Sequence, residues 1–211
     1  MYVLVNSKSI ELLNKKIKTM DKVIDEMKNE SIIIMNGTSK ERKSIIKELA
    51  KNKTLIKITN QIYVDVNWSI NDFLLRQLIL KQGIYSGITA LYLWNLTDEY
   101  PYRIHMTFKM GYRLPQSYSE WTENVQAHQI KKNQLNDNTT FQSVEGTNYK
   151  IKLYNRERTL VDILKDPVEE NIVNVAYRRY LQSDAADKNR LLEIAYSMGS
   201  LKKVKSRLEK Y

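Results

Sequence analysis

Lys40, Lys43, Lys47 and Lys51 recur at three- and four-residue spacing within the run KERKSIIKELAK. Ammonium groups in that pattern do electrostatic rather than covalent chemistry: they neutralise phosphates and release condensed counterions. At about 100° per residue they share one side of a helix, while Ile45, Ile46 and Leu49 occupy the other. Arg42 falls among the apolar residues, so it is expected to cap or snorkel at the helix start. Thr38 or Ser39 can serve as N-cap. Ser39 and Ser44 are the short polar side chains that would read bases while the lysines hold phosphates. Any surface helix must point charge at water, so the position of this helix in the chain carries the argument. It stands directly before two β-rich runs, Thr54 to Ile58 and Ile62 to Val64, which read as a small hairpin. Lys57 lies in its first strand, with Asn60 and Gln61 in the turn. Helix followed by hairpin is the second half of a winged helix-turn-helix.

The remaining chemistry-bearing residues do not assemble into an enzyme. The chain has no cysteine and two histidines, which removes disulfides, thiolate nucleophiles and His-rich metal cages. No Asp-x-Asp occurs for two-metal phosphoryl chemistry. The acid-x-Lys triplets, Glu26 to Lys28 and Glu41 to Lys43, sit in helical stretches instead of strands. His105 and His128 fall on separate strands, without a serine or paired carboxylate at triad spacing. A non-enzymatic protein with no cofactor and no metal is expected. Arg156, Arg158 and Asp162 on one helix form either an ion-pair network or a binding surface, and pairing is the better reading. Arg178 and Arg179 beside Tyr177 and Tyr180, with Lys203, Arg207 and Lys210 on the last helix, offer either a second basic surface or solvated helix edges.

The net charge of +10, from 34 Lys plus Arg against 24 Asp plus Glu, favours a polyanionic partner. It is uneven. Residues 1–64 hold 13 basic and 7 acidic side chains, residues 65–155 hold 9 and 8, and residues 156–211 hold 12 and 9. No stretch approaches the roughly 20 apolar residues of a membrane span. Met1 to Asn6 lacks the basic flank and cleavage site of a signal peptide. A cytoplasmic protein without a membrane partner is expected.

These residues must be positioned by two layers of structure. Ile10, Leu13, Ile17, Met20, Ile24 and Met27 give one apolar stripe on a helix from about Ser7 to Asn29, unless Asp21 caps a break. Ile32 to Met35 either ends a second helix or forms a strand, and Asn36-Gly37 stops it. Asp65 to Ser69 reads as a boundary between a winged-helix domain, 1–66, and a larger domain, 67–211. Ser69 with Asp72 signals a cap for a helix to about Lys81, stopped by Gly83. A further helix covers Ser86 to Leu96. Tyr102 to Phe108, Asn124 to Lys131, Phe141 to Glu145 and Tyr149 to Tyr154 read as strands. Helices then cover Arg156 to Lys165, Val168 to Gln182, Ala186 to Met198 and Leu201 to Lys210. Strands followed by helices imply an α+β, or mixed α/β, fold with a small sheet and several helices in the larger domain.

The segments IYSGITALYLWNLTDEYP, IHMTFKMGYR, KIKLYNRERTLVDILKD and IVNVAYRRYL, all within residues 84–211, together resemble the AbiEi family. These are antitoxins of bacterial abortive-infection toxin–antitoxin operons that also repress their own promoters. The resemblance implies an N-terminal winged helix on double-stranded operator DNA. It also implies a C-terminal domain that opposes an AbiEii-type nucleotidyltransferase-like toxin without a stable complex. Gly37-Thr38-Ser39 stands at the family's turn. Asn60-Gln61-Ile62-Tyr63 stands where the family wing has Arg-Gly-hydrophobic-Tyr. Two alternatives remain open: an interaction protein for RNA or a protein partner, and a nuclease.

Overall fold

The structure is a computed structural model that describes residues 7–211; the signal-peptide reading of Met1 to Asn6 lies outside them. The fold is mixed α+β, with a three-stranded and a five-stranded sheet among the described residues. Backbone contacts divide the chain into two compact units: residues up to Leu75 with Ser143–Lys150, and Arg76–Gln142 with Ile151–Tyr211.

The first unit begins with α1, Ser7–Asn29, and β1, Ile32–Ile34. The helix α2, Lys40–Lys51, then leads into β2, Leu55–Lys57, and β3, Ile62–Asp65. Asp21 does not break α1, which runs as one helix. The short apolar run after it is a strand, so the turn Asn36 to Ser39 joins β1 to α2 with no further helix between them. The sheet order is β1-β3-β2, with β3 antiparallel to both neighbours. Val23, Ile33, Met35, Ile45, Ile46, Leu49, Leu55 and Tyr63 form its core. The apolar stripe of α1 contributes less than its periodicity suggests. Ile10, Leu13, Ile17 and Met20 remain exposed, and the residue of α1 that is wholly buried is Val23, off the stripe.

The expected boundary at residue 66 falls inside this unit. Trp68 Nε1 donates to the Glu145 carbonyl at 3.0 Å, and Ser31 N donates to the Gly146 carbonyl at 3.0 Å. A Cβ on Gly146, whose φ is +75°, would lie 3.0 Å from Trp68 Cδ1. These contacts tie residues 143–150, far away in sequence, to the first unit. The helix α3, Asp72–Leu80, crosses from one unit to the other. It is capped by Asn71, not Ser69: Asn71 Oδ1 accepts from Leu74 N at 2.9 Å.

The second unit is built on the sheet β6-β5-β4-β8-β7. Its strands are β4, Ile84–Tyr85; β5, Ile104–Lys109; β6, Val125–Ile130; β7, Thr139–Ser143; and β8, Lys150–Tyr154. Strand β4 is antiparallel to β5 and parallel to β8, and β5 is parallel to β6. The helices are α4, Gly87–Leu93; α5, Ser119–Thr122; α6, Arg156–Asp162; α7, Glu170–Leu181; α8, Lys188–Ser197; and α9, Leu201–Leu208. Leu91, Leu160, Val161, Tyr177, Tyr180, Leu191 and Val204 anchor its helical core. The buried phenols are satisfied: Tyr177 donates to the Leu160 carbonyl at 3.0 Å and Tyr180 to Glu157 at 2.9 Å.

Candidate nucleic-acid interface

The turn before α2 needs Gly37 at φ +66°, a backbone conformation that residues with a Cβ rarely adopt. Ser39 then caps the helix, its Oγ accepting from Arg42 N at 3.2 Å. Ile45, Ile46 and Leu49 are buried, which turns Lys40, Lys43, Lys47 and Lys51 outward, where all are exposed. None of these lysines forms an ion pair among the described residues.

The acidic residues of α2 are turned toward α1. Glu41 lies 3.9 Å from Lys15 and Glu48 3.0 Å from Lys16. The backbone N–H groups at the helix start, with Ser39 and Lys15, hold the Glu41 carboxyl below its usual range. Arg42, expected to cap or snorkel, pairs with Glu26 of α1 instead. The helix therefore carries its carboxylates on a flank already neutralised by α1 and its free cations on the open face. Ser44 is exposed and lines a groove between α1 and α2 together with Ser9 and Glu41. That puts it on the α1 flank of α2 with Glu41, in a groove that none of the four lysines lines.

The hairpin is held in register by Leu55 opposite Asp65 and Lys57 opposite Tyr63. Its turn is closed by Thr59, whose Oγ1 accepts from Gln61 N and Ile62 N, both at 3.1 Å. Met35 N donates to the Gln61 carbonyl at 2.8 Å. The side chains of Asn60 and Gln61 project from this turn, exposed and without a hydrogen-bond partner among the described residues. Lys57 is exposed on β2.

The second set of cations is not an open basic face. Arg207 is buried and bidentate to Glu170 at 2.7 and 2.8 Å, with Asn174 Oδ1 also 2.7 Å away. Lys210 reaches the same carboxylate at 3.3 Å. Arg179 grips Asp98, and Lys203 donates to the Leu164 carbonyl at 3.3 Å. Arg178 is exposed. The tyrosines beside it, Tyr177 and Tyr180, are wholly buried and present no ring to a base.

Of the α6 residues expected to pair, Arg158 and Asp162 do so and Arg156 does not join them. Arg158 Nε donates to Asp162 at 2.9 Å and stacks 4.4 Å over the Tyr154 ring; Arg156 sits 4.4 Å over Trp94. Burial pushes the Asp162 carboxyl up in spite of Arg158. Asp162 and Arg158 line a small polar cavity of about 160 Å³ with Ser86, Thr107, His128 and Asp166. Sequence reasoning missed this cluster and the pairing of the two histidines at its edge. The parallel register of β5 and β6 brings His128 Nε2 to 3.3 Å from His105 Nδ1. Burial, then His128, pushes the His105 pKa down. Gly87 leaves room for the His105 ring, since a Cβ there would lie 3.0 Å from His105 Nδ1. No group of three or more His, Cys, Asp or Glu with metal-holding geometry occurs among the described residues.

No protein-family model matches the chain, and no curated protein matches it. No helix among the described residues is long and apolar enough to cross a membrane.

Proposed function

We propose that this chain is a DNA-binding antitoxin of the AbiEi type, binding rather than catalytic and cytoplasmic. In this reading α2 and the β2–β3 turn dock on the double-stranded operator of its own operon, and the second unit opposes a nucleotidyltransferase-like toxin. The observation that carries the DNA reading is the face of Lys40, Lys43, Lys47 and Lys51, exposed and without an internal carboxylate partner while the acids of α2 are engaged by α1. Cations left free in this way are available to phosphates, and the affinity they give is salt-dependent. The antitoxin half rests on the resemblance of residues 84–211 alone.

The experiment is an electrophoretic shift assay of the full chain on the DNA upstream of its own reading frame, against a scrambled competitor and at several salt concentrations. Preferential, salt-sensitive retardation of the upstream fragment is expected. Equal affinity for both DNAs overturns sequence-specific repression. Growth rescue from the co-encoded toxin, with co-purification tested in parallel, examines the second half: rescue without a stable complex is expected, and no rescue overturns it. Preference for single-stranded RNA in the same assay would favour the competing reading, to which the altered wing residues Asn60 and Gln61 lend support.

A further inference from the structure

Helix α1 is apolar on two sides, and the core takes up Val23 and Met27 of one of them, where Leu12 nearer the start stays 72% exposed. Val23 is wholly buried and Met27 packs beside it on the core of the first unit. Lys15 and Lys16, on the same side, reach α2. Roughly a quarter-turn away, at 100° per residue, lies the other face: Ile10, 47% exposed, Leu13, 57%, Ile17, 50%, and Met20, 38%. A contiguous apolar strip of this kind on a soluble surface marks an interaction site.

Its spacing identifies the occupant. Ile10, Leu13, Ile17, Met20 and Ile24 alternate by three and four residues, with isoleucine at each a position and Leu or Met at each d, and the series ends where Met27 turns onto the unit's own core. That composition suits a parallel two-stranded coiled coil. One pair of flanking positions is charge-complementary, while the last g position, Val23, is taken up by the unit's own core. Lys16 is at g and Asp21 at the following e, so in a parallel, in-register pair each Lys16 faces Asp21 of the second copy, twice by symmetry. Asp21 is exposed and has no ion pair among the described residues. Lys16 keeps about half its side chain exposed even while it touches Glu48, and an ammonium group has three donors. Ser9 at g meets Asn14 at e, an uncharged pair.

We propose that α1 is a dimerisation helix that pairs in parallel with α1 of a second copy of this chain. An isolated zipper of about two heptads is too short to hold together, because it must also form its helices. Here the helix is already held by its own core, so association does not bear that cost. A micromolar, concentration-dependent homodimer is the expected strength. The inference does not depend on DNA binding.

Sedimentation equilibrium of the full chain tests it, with circular dichroism to confirm folding of each variant. Wild type is expected to shift from monomer to dimer through the micromolar range. Ile17→Lys should raise the dissociation constant at least about tenfold, since lysine at a seam position must be desolvated. Asp21→Lys should weaken the dimer less, and the double variant Lys16→Glu with Asp21→Lys should recover part of the loss. The chain has no cysteine, so Leu13→Cys gives a clean register probe: mild oxidation should link two copies through residue 13. A monomer at every concentration overturns the proposal. So does a dimer that Ile17→Lys leaves intact, or one in which Leu13→Cys forms no cross-link.

Discussion

The cations of α2 and those of α7 and α9 look alike as sequence, yet the fold uses them in opposite ways. Both groups sit opposite an apolar face on an amphipathic helix. On α2 the nearby acids, Glu41 and Glu48, are engaged by Lys15 and Lys16, which leaves the lysine face unpaired. On α9 an acid from another helix, Glu170 of α7, reaches Arg207, and on α7 Arg179 finds Asp98. What a cation does depends on which carboxylates the tertiary structure delivers to it, more than on its place on a helical wheel. Arg179 and Arg207 pair bidentately with carboxylates, while the lysines of α2 stay solvated and available.

Reversing the lysine face should give the largest separation between the two regions. Lys40→Glu, Lys43→Glu and Lys47→Glu together are expected to leave folding stability within about 0.5 kcal/mol of wild type. Affinity for the upstream DNA should fall by on the order of a hundredfold or more, as expected for several lost phosphate contacts. Replacing the same lysines with Gln should lower the slope of log affinity against log salt by about 0.9 for each lysine in contact. Urea melts and shift assays on the same preparations check both. A variant that unfolds would mean that these lysines are structural after all.

Arg207→Ala should do the reverse. It removes charge-assisted hydrogen bonds to Glu170 and Asn174 and the packing of a buried stem. Each such bond contributes about 1.5–3 kcal/mol, reduced here because the Glu170 side chain is open to solvent, so a loss of roughly 1–3 kcal/mol is expected in denaturant unfolding. DNA affinity of the folded variant should not change. Normal stability with weakened DNA binding would restore Arg207 to a second basic surface.

The same ion pair carries a pH signature. Arg207 and Lys210 draw the Glu170 carboxyl down to about 2 from its ordinary 4.5. A carboxylate with a depressed folded-state pKa adds stability above its unfolded value, and that stability is lost as pH falls from about 4.5 toward about 2. Acid unfolding of Glu170→Gln, compared with wild type, should therefore lack part of the decline in that window. The α2 triple variant should keep it. Identical acid limbs in wild type and Glu170→Gln would remove the pair from the account.

Much of this was readable along the chain. Periodicity located α1, α2, the long strands β5 and β6 and the closing helices, because each is long enough to show a period. The two-residue β4 has none, although Ile84 and Tyr85 join β5 to β8 at the centre of the larger sheet. The contact of β5 with β6 is parallel, a long-range choice that local pattern does not encode, so the approach of His105 and His128 was invisible. The attachment of residues 143–150 to the first unit depends on Trp68 meeting Glu145, some 77 positions away. For the candidate site the gain was larger. The lysine face, the Ser39 cap and the turn holding Asn60 and Gln61 follow from local rules, whereas the partner of Arg42 and the burial of Arg207 come from other elements.

The smallest expected effect lies at the tip of the hairpin, and it decides what kind of contact the first unit makes. Thr59 holds the turn by accepting from Gln61 N and Ile62 N, so Asn60→Ala and Gln61→Ala remove side chains that support nothing in the fold. Both variants should melt as wild type does, whereas Thr59→Ala should lose about 1 kcal/mol through the two backbone donors it leaves without their acceptor. On DNA the tip variants should weaken binding by no more than about tenfold, the size of one or two modest polar contacts. How the loss is distributed matters more than its size. Side chains that touch phosphate weaken the upstream and scrambled DNAs equally, while side chains that touch base edges weaken the upstream DNA more and so lower the ratio between them. With short amides in place of a long basic side chain, the groove-edge contact is expected, and the ratio should fall. An unchanged ratio with reduced affinity would assign the tip to the phosphate backbone, and unchanged affinity for both DNAs would take the wing out of the interface and leave α2 to bind alone.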